Sequence, residues 1–136
     1  MWGYNYDGNG GSGTGGGTGE GYSSNEKTIT CDAGVIERSL VYLDAANIAQ
    51  LASNASTATK ATAIIAKKLS STSAVIVEGG FVDGFIGLDP TKDYFLGVDG
   101  AILDASPFPT AYEQFIGKPI SSTILSVDIS DQIIAP

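Results

Sequence analysis

Turn chemistry recurs so often through residues 26–136 that only short runs of chain remain between the turns. Asp32-Ala33-Gly34, Glu78-Gly79-Gly80, Asp83-Gly84, Asp89-Pro90, Asp99-Gly100, Ser106-Pro107-Phe108-Pro109, Gly117-Lys118-Pro119 and Ser121-Ser122 punctuate the segment. Each carries residues that set or tolerate turn dihedrals. The intervening runs are rich in β-branched and aromatic residues. They read as strands near Lys27–Cys31, Ser39–Leu43, Ile64–Leu69, Ala74–Val77, Phe81–Val82, Tyr94–Leu96, Ala101–Leu103, Gln114–Ile116 and Thr123–Ile129. Short strands at close spacing predict an all-β fold, a small antiparallel β-sandwich or barrel. Asp99-Gly100 between Tyr94–Leu96 and Ala101–Leu103 is a hairpin signal.

Residues 45–66 fit this pattern least. They hold nine alanines, and Ile48, Leu51, Ala52 and Ala55 fall at helical spacing. Serines and threonines interrupt them throughout, and no capping box opens a helix. The expectation is a strand at Ile64–Leu69, preceded by irregular chain or one helical turn.

The first 25 residues differ in kind. Ten of the 18 glycines lie there. Glycine loses the most backbone freedom on ordering and has no side chain to bury. The chain therefore divides into a glycine-rich extended arm, residues 1–25, and a single β-domain, residues 26–136. A domain of that length buries roughly 60–70% of its unfolded surface and needs no metal or disulfide to fold. Gly8-x-Gly10-x-x-Gly13 matches a dinucleotide fingerprint only formally, because no strand precedes it and no helix follows. Trp2, Tyr4 and Tyr6 alternate, which places three rings on one face of an extended segment, and Tyr22 stands at the far end. Aromatics are scarce in solvated linkers and common as interface anchors. These four residues are the candidate partner-binding residues.

Composition excludes most chemistry. There is no histidine, hence no Ser–His or Cys–His pair and no imidazole ligand. Cys31 is the single cysteine, so neither an intrachain disulfide nor a thiolate metal cage can form. It reads as a small buried apolar residue. Asp83, Asp89, Asp93, Asp99 and Asp104 crowd one third of the chain but lack calcium-loop spacing, and nothing singles out a catalytic pair. They read as turn openers. Lys67-Lys68 reads as a solvated strand end or rim contact. The expectation is a protein that is not an enzyme, with no cofactor and no metal. The net charge is −8, with 13 acidic and 7 basic residues in the domain. That balance lacks the basic footprint of nucleic-acid binding and disfavours anionic membranes. No signal peptide or apolar span is apparent, so the expectation is synthesis in a cytoplasm without an export address. Asn54-Ala55-Ser56 matches a glycosylation acceptor by chance.

Several strings, in order, resemble a small β-domain that recurs in tailed-bacteriophage structural proteins of the head-fibre, head-decoration and tail-fibre type. They are Leu40–Asp44, Ala63–Ala66, Val75–Gly84, Gly87–Ile102 and Glu113–Ile129. In that domain a strand of valine–tyrosine–leucine–aspartate type opens the fold, one hairpin sits in the middle and another closes it. This chain departs from the pattern at Lys92-Asp93, ahead of the middle hairpin, and at Lys118-Pro119 in the closing one. The resemblance implies a virion structural protein assembled in the host cytoplasm. The acidic domain suits an outer surface better than a DNA-filled lumen. The expectation is therefore a capsid-surface decoration or head-fibre protein, anchored through its arm to other virion proteins such as the major capsid protein. A tail-fibre tip or adaptor, binding a host glycan or another tail subunit, is the alternative. Such proteins form homo-oligomers, often trimers, although no heptad or axial motif encodes one here. The family has no catalytic residues.

Overall fold

The computed structural model describes residues 24–136. The described chain is β-structure almost throughout. Its strands are β1 (Ser24–Thr30), β2 (Leu40–Leu43), β3 (Ala49–Leu51), β4 (Ala63–Ser70), β5 (Ser73–Val82), β6 (Tyr94–Leu96), β7 (Ile102–Leu103), β8 (Phe115–Pro119) and β9 (Leu125–Asp128). They form one curled antiparallel sheet in the order β3-β2-β4-β5-β9-β8-β6-β7, with β1 added to β5. The all-β, sandwich-or-barrel expectation holds as a half-barrel. The extended arm falls outside the described residues, apart from its last two positions. These already belong to β1.

β5 organises the sheet. Val77 pairs with both Glu26 and Ile64, and Gly80 pairs with both Ser24 and Val127. β1 therefore lies along one edge of β5, while β4 and β9 succeed each other along the opposite edge. The sequence reading put a turn at Glu78-Gly79-Gly80. The strand instead continues through this segment, with Gly80 at φ 115° and a shift of register against β1 between Val77 and Gly80, the irregularity of a β-bulge, which bends a strand. Glycine in a strand interior marks a bend or a close backbone approach, and here it stands where β9 takes over from β4.

The pairing also closes on itself. Thr30 ends β1, and the next residue, Cys31, bridges Ala49 of β3. Cys31 N–H donates to Thr72 O (3.0 Å) and Asp32 N–H to Ala49 O (2.9 Å). The pairings β1–β5, β5–β4, β4–β2 and β2–β3 then run in a ring. Side chains alternate across it. Val41, Ala63, Ile65, Ala74 and Ile76 join Cys31, Val35 and Ala49 in one buried cluster. Leu40, Ile64 and Val77 face the other way, into a larger cluster with Val82, Phe85, Leu88, Tyr94, Leu96, Ile116, Leu125 and Val127. Strands buried on both faces need continuous apolar runs, which explains Ala63-Ile64-Ile65. The first cluster is packed with small residues, as a narrow interior requires.

This settles residues 45–66. They hold β3, one 3-10 turn (Thr57–Thr59) and the approach to β4. β3 has no counterpart in the sequence reading, because alanines at 49, 52, 61 and 63 are buried by strand and loop packing rather than by a helical stripe. Polar side chains take up the backbone groups a helix would have used. Ser56 Oγ accepts from Ala58 N–H (2.9 Å), and Thr59 Oγ1 donates to Ser53 O (2.9 Å).

Candidate interaction surface

Trp2, Tyr4, Tyr6 and Tyr22, the partner-binding residues read from the sequence, lie outside the described residues. The chain preceding β1 nevertheless has a fixed point of departure, since Ser24 pairs with Gly80 beside the bend in β5.

A cleft opens at the same corner. Glu26, Ala66, Val77, Phe81, Val82, Asp83 and Ile124 line it around a cavity volume of about 40 Å³. That is room for a few water molecules or the end of one side chain. It forms there because β4 and β9 part on one edge of β5, leaving apolar side chains between them. Glu26 and Asp83 are exposed at the surface. Neither takes part in the three ion pairs among the described residues, which join Lys27 to Glu78, Lys92 to Asp104 and Lys118 to Asp93.

The loop following Asp83 is built to hold one apolar side chain in water. Gly84 and Gly87 adopt φ 88° and 76°. Phe85 and Leu88 anchor the loop in the core, and their N–H groups donate to Thr123 O (3.1 Å) and Ser122 O (3.0 Å). Ile86, between them, is 95% exposed. Arg38, the single arginine, braces the loop. Its Nη1 donates to Ala66 O, and its guanidinium carbon lies 5.9 Å from the Phe85 ring centroid. A Cβ on Gly84 would stand 2.8 Å from that carbon and would push the arginine head aside, while the φ of 88° is what calls for glycine there. The sequence reading singled out neither Arg38 nor Ile86. A glycine on either side of Phe85-Ile86 was the signal that could have found the loop.

The aspartates divide by role. Asp89 opens a turn, its Oδ1 accepting from Thr91 N–H (2.9 Å) and Thr91 Oγ1 (2.7 Å). The Thr91 side-chain bond, followed by the backbone one, holds its carboxyl below the usual range. Asp93 and Asp104 instead belong to ion pairs, and Asp104 holds the Lys92 ammonium above its ordinary value. Asp44, which the sequence reading placed only at the end of the opening strand, organises the β2–β3 hairpin. Its Oδ1 accepts from Ile48 N–H (3.0 Å) and Ala46 N–H (2.9 Å), and its Oδ2 from Gln50 Nε2 (3.0 Å). These bonds, that from Ile48 foremost, lower its pKa from 3.8. Among the described residues, no group of three acidic or cysteine side chains could hold a metal ion.

Other residues read from the sequence fall inside the structure. Cys31 is 2% exposed, at the closure of the ring. Lys67 is exposed, whereas Lys68 folds back to donate from Nζ to Val35 O (2.6 Å). Asn54 is 5% exposed and its Nδ2 donates to Leu96 O (3.1 Å), so its amide is engaged in the fold. Among the described residues, no helix is long and apolar enough to cross a membrane. Comparison with protein-family models, with curated protein sequences and with solved structures finds no match.

Proposed function

We propose that this chain is a virion structural protein of a tailed phage: a β-domain displayed on the particle and held by its glycine-rich arm. The observation that carries the reading is the order of the resembling strings. Leu40–Asp44 covers β2, Val75–Gly84 falls on β5, Gly87–Ile102 spans β6 and the hairpin turn, and Glu113–Ile129 spans the closing β8–β9 hairpin. Both departures from the pattern are accommodated. Lys92 pairs with Asp104, and Lys118 stays in register opposite Ser126 while pairing with Asp93.

Within that class, a decoration or head-fibre role on the capsid surface fits best. A domain with 13 acids and 7 bases is repelled by packaged DNA and suited to the outside. A glycine-rich segment can lie close along another protein's backbone while its aromatics fill pockets. Repetition on a symmetric particle then makes weak single contacts sufficient. No reaction is assigned to the chain.

The test is truncation. Removing residues 1–23 spares β1, which starts at Ser24. The expected result is a domain with an unchanged far-UV spectrum that no longer co-sediments with particles. Co-sedimentation at the full-length ratio would refute anchoring through the arm.

A further inference from the structure

We propose that the cleft at the β5 bend receives a lysine or arginine side chain from a partner protein, with Ile86 packing against the apolar residue beside it. This does not depend on the display role above. The lining of the cleft is mostly apolar, with Ala66, Val77, Phe81, Val82 and Ile124, whereas Glu26 and Asp83 supply two carboxylates without an ion-pair partner among the described residues. An uncharged apolar group would desolvate those carboxylates without compensation, and an anion would be repelled. The end of a long cationic side chain fits both, its last methylenes against the apolar lining and its head at the carboxylates.

The charge balance of the domain points the same way. Of its seven basic residues, Lys27, Lys92 and Lys118 are paired with acids, Arg38 and Lys68 donate to the Ala66 and Val35 carbonyls, and Lys60 and Lys67 belong to no ion pair among the described residues, against 13 acids. Arg38 is near the cleft, but its guanidinium is directed to that carbonyl and the Phe85 ring. The surface therefore offers unpaired carboxylates, the complement of a basic segment. Ile86 argues for a protein rather than a small amine. The loop that carries it is tied by hydrogen bonds to Ser122 and Thr123, in the turn that leads to Ile124. A free amine would leave that 95%-exposed side chain uncovered.

The test is a 15N NMR titration of the full chain with two capped tripeptides, Leu-Lys-Leu and Leu-Glu-Leu. The lysine peptide is expected to shift the amides of Ala66, Val82, Asp83, Ile86 and Ile124, and the glutamate peptide to leave them in place. The double variant Glu26→Gln, Asp83→Asn should bind the lysine peptide about fivefold more weakly or worse, while its spectrum elsewhere superimposes on the wild type. Both positions are exposed, so the fold is retained. Absence of localised shifts, equal response to the two peptides, or unchanged affinity in the double variant would each overturn the proposal. Shifts at these residues that follow protein concentration without peptide would assign the cleft to a second copy and overturn it too.

Discussion

Replacing Gly100 with alanine separates backbone strain from packing, because the domain contains its own control. Gly100 and Gly87 have almost the same dihedral, φ 77° and 76°. A Cβ on Gly87 would meet nothing within 4 Å. A Cβ on Gly100 would lie 2.9 Å from Leu40 O, 2.9 Å from Leu51 Cδ2 and 3.0 Å from Ser39 Cβ. The crowding arises because the β6–β7 hairpin tip is seated against β2 and the end of β3. Leu40 N–H donates to Gly100 O (2.8 Å), and Gly100 N–H donates to Ala52 O (2.6 Å). The left-handed conformation costs a residue with a Cβ about 1–2 kcal/mol. Overpacking against immovable backbone adds about 1–3 kcal/mol. Gly87→Ala should therefore lose about 1–2 kcal/mol, and Gly100→Ala about 2–5 kcal/mol. The larger loss is a serious fraction of the roughly 5–15 kcal/mol that stabilises a domain. Urea unfolding followed by fluorescence reads both, with equal m-values as the check that only stability has changed. If the two variants agree within about 0.5 kcal/mol, the hairpin tip is not seated against β2 and β3 and the account of how the two parts join is wrong.

Three further outcomes follow from single residues. Gln114 is 1% exposed; its Oε1 accepts from Ala61 N–H (2.8 Å), and its Nε2 donates to Ala61 O (2.9 Å) and Ser130 O (2.8 Å). Gln114→Ala orphans all three backbone groups and should cost about 2–4 kcal/mol in urea unfolding. Cys31, buried where the ring closes, should resist a thiol reagent in the native state and react only at the rate of opening, so prompt labelling would refute the closure. Asp44 has a folded-state pKa below its ordinary 3.8, so its contribution to stability is present above pH 3.8 and is lost as pH falls through the lower folded value. In Asp44→Asn that part of the acid limb should vanish, and a carboxyl-carbon NMR titration of the wild type should show the depressed midpoint.

The parts of the fold legible in the sequence were those encoded locally. Asp99-Gly100 is one. Its residues take φ 52° and 77°, with Ala101 N–H donating to Val98 O (3.1 Å), the type I′ geometry that such a pair favours between strands. The Tyr94–Leu96 strand, read residue for residue, is another. What escaped depends on contacts distant in sequence. Glu78-Gly79-Gly80 carries turn chemistry, but pairing with Ser24 on one side and with Val127 and Asp128 on the other keeps it within the strand. β3 is three residues of alanine, glutamine and leucine, and it exists because β2 and Cys31 flank it. The corner cleft was illegible for the same reason. Glu26, Ala66, Asp83 and Ile124 come from four separate stretches of chain and meet only because β4 and β9 share an edge of β5. Ile86 was closer to legible, since flanking glycines in a loop mark a side chain set apart from the core.

The central claim is attachment of this domain to a particle through the chain that leads into Ser24. On the proposed reading, a cryo-EM reconstruction of purified phage particles from the source of this chain tests it most directly. The account predicts domain-sized density outside the shell, joined to it by an extended segment that enters β1 beside the β5 bend. Particles that lack the chain, or density joined to the shell through another part of the domain while residues 1–23 make no contact with it, would contradict the account.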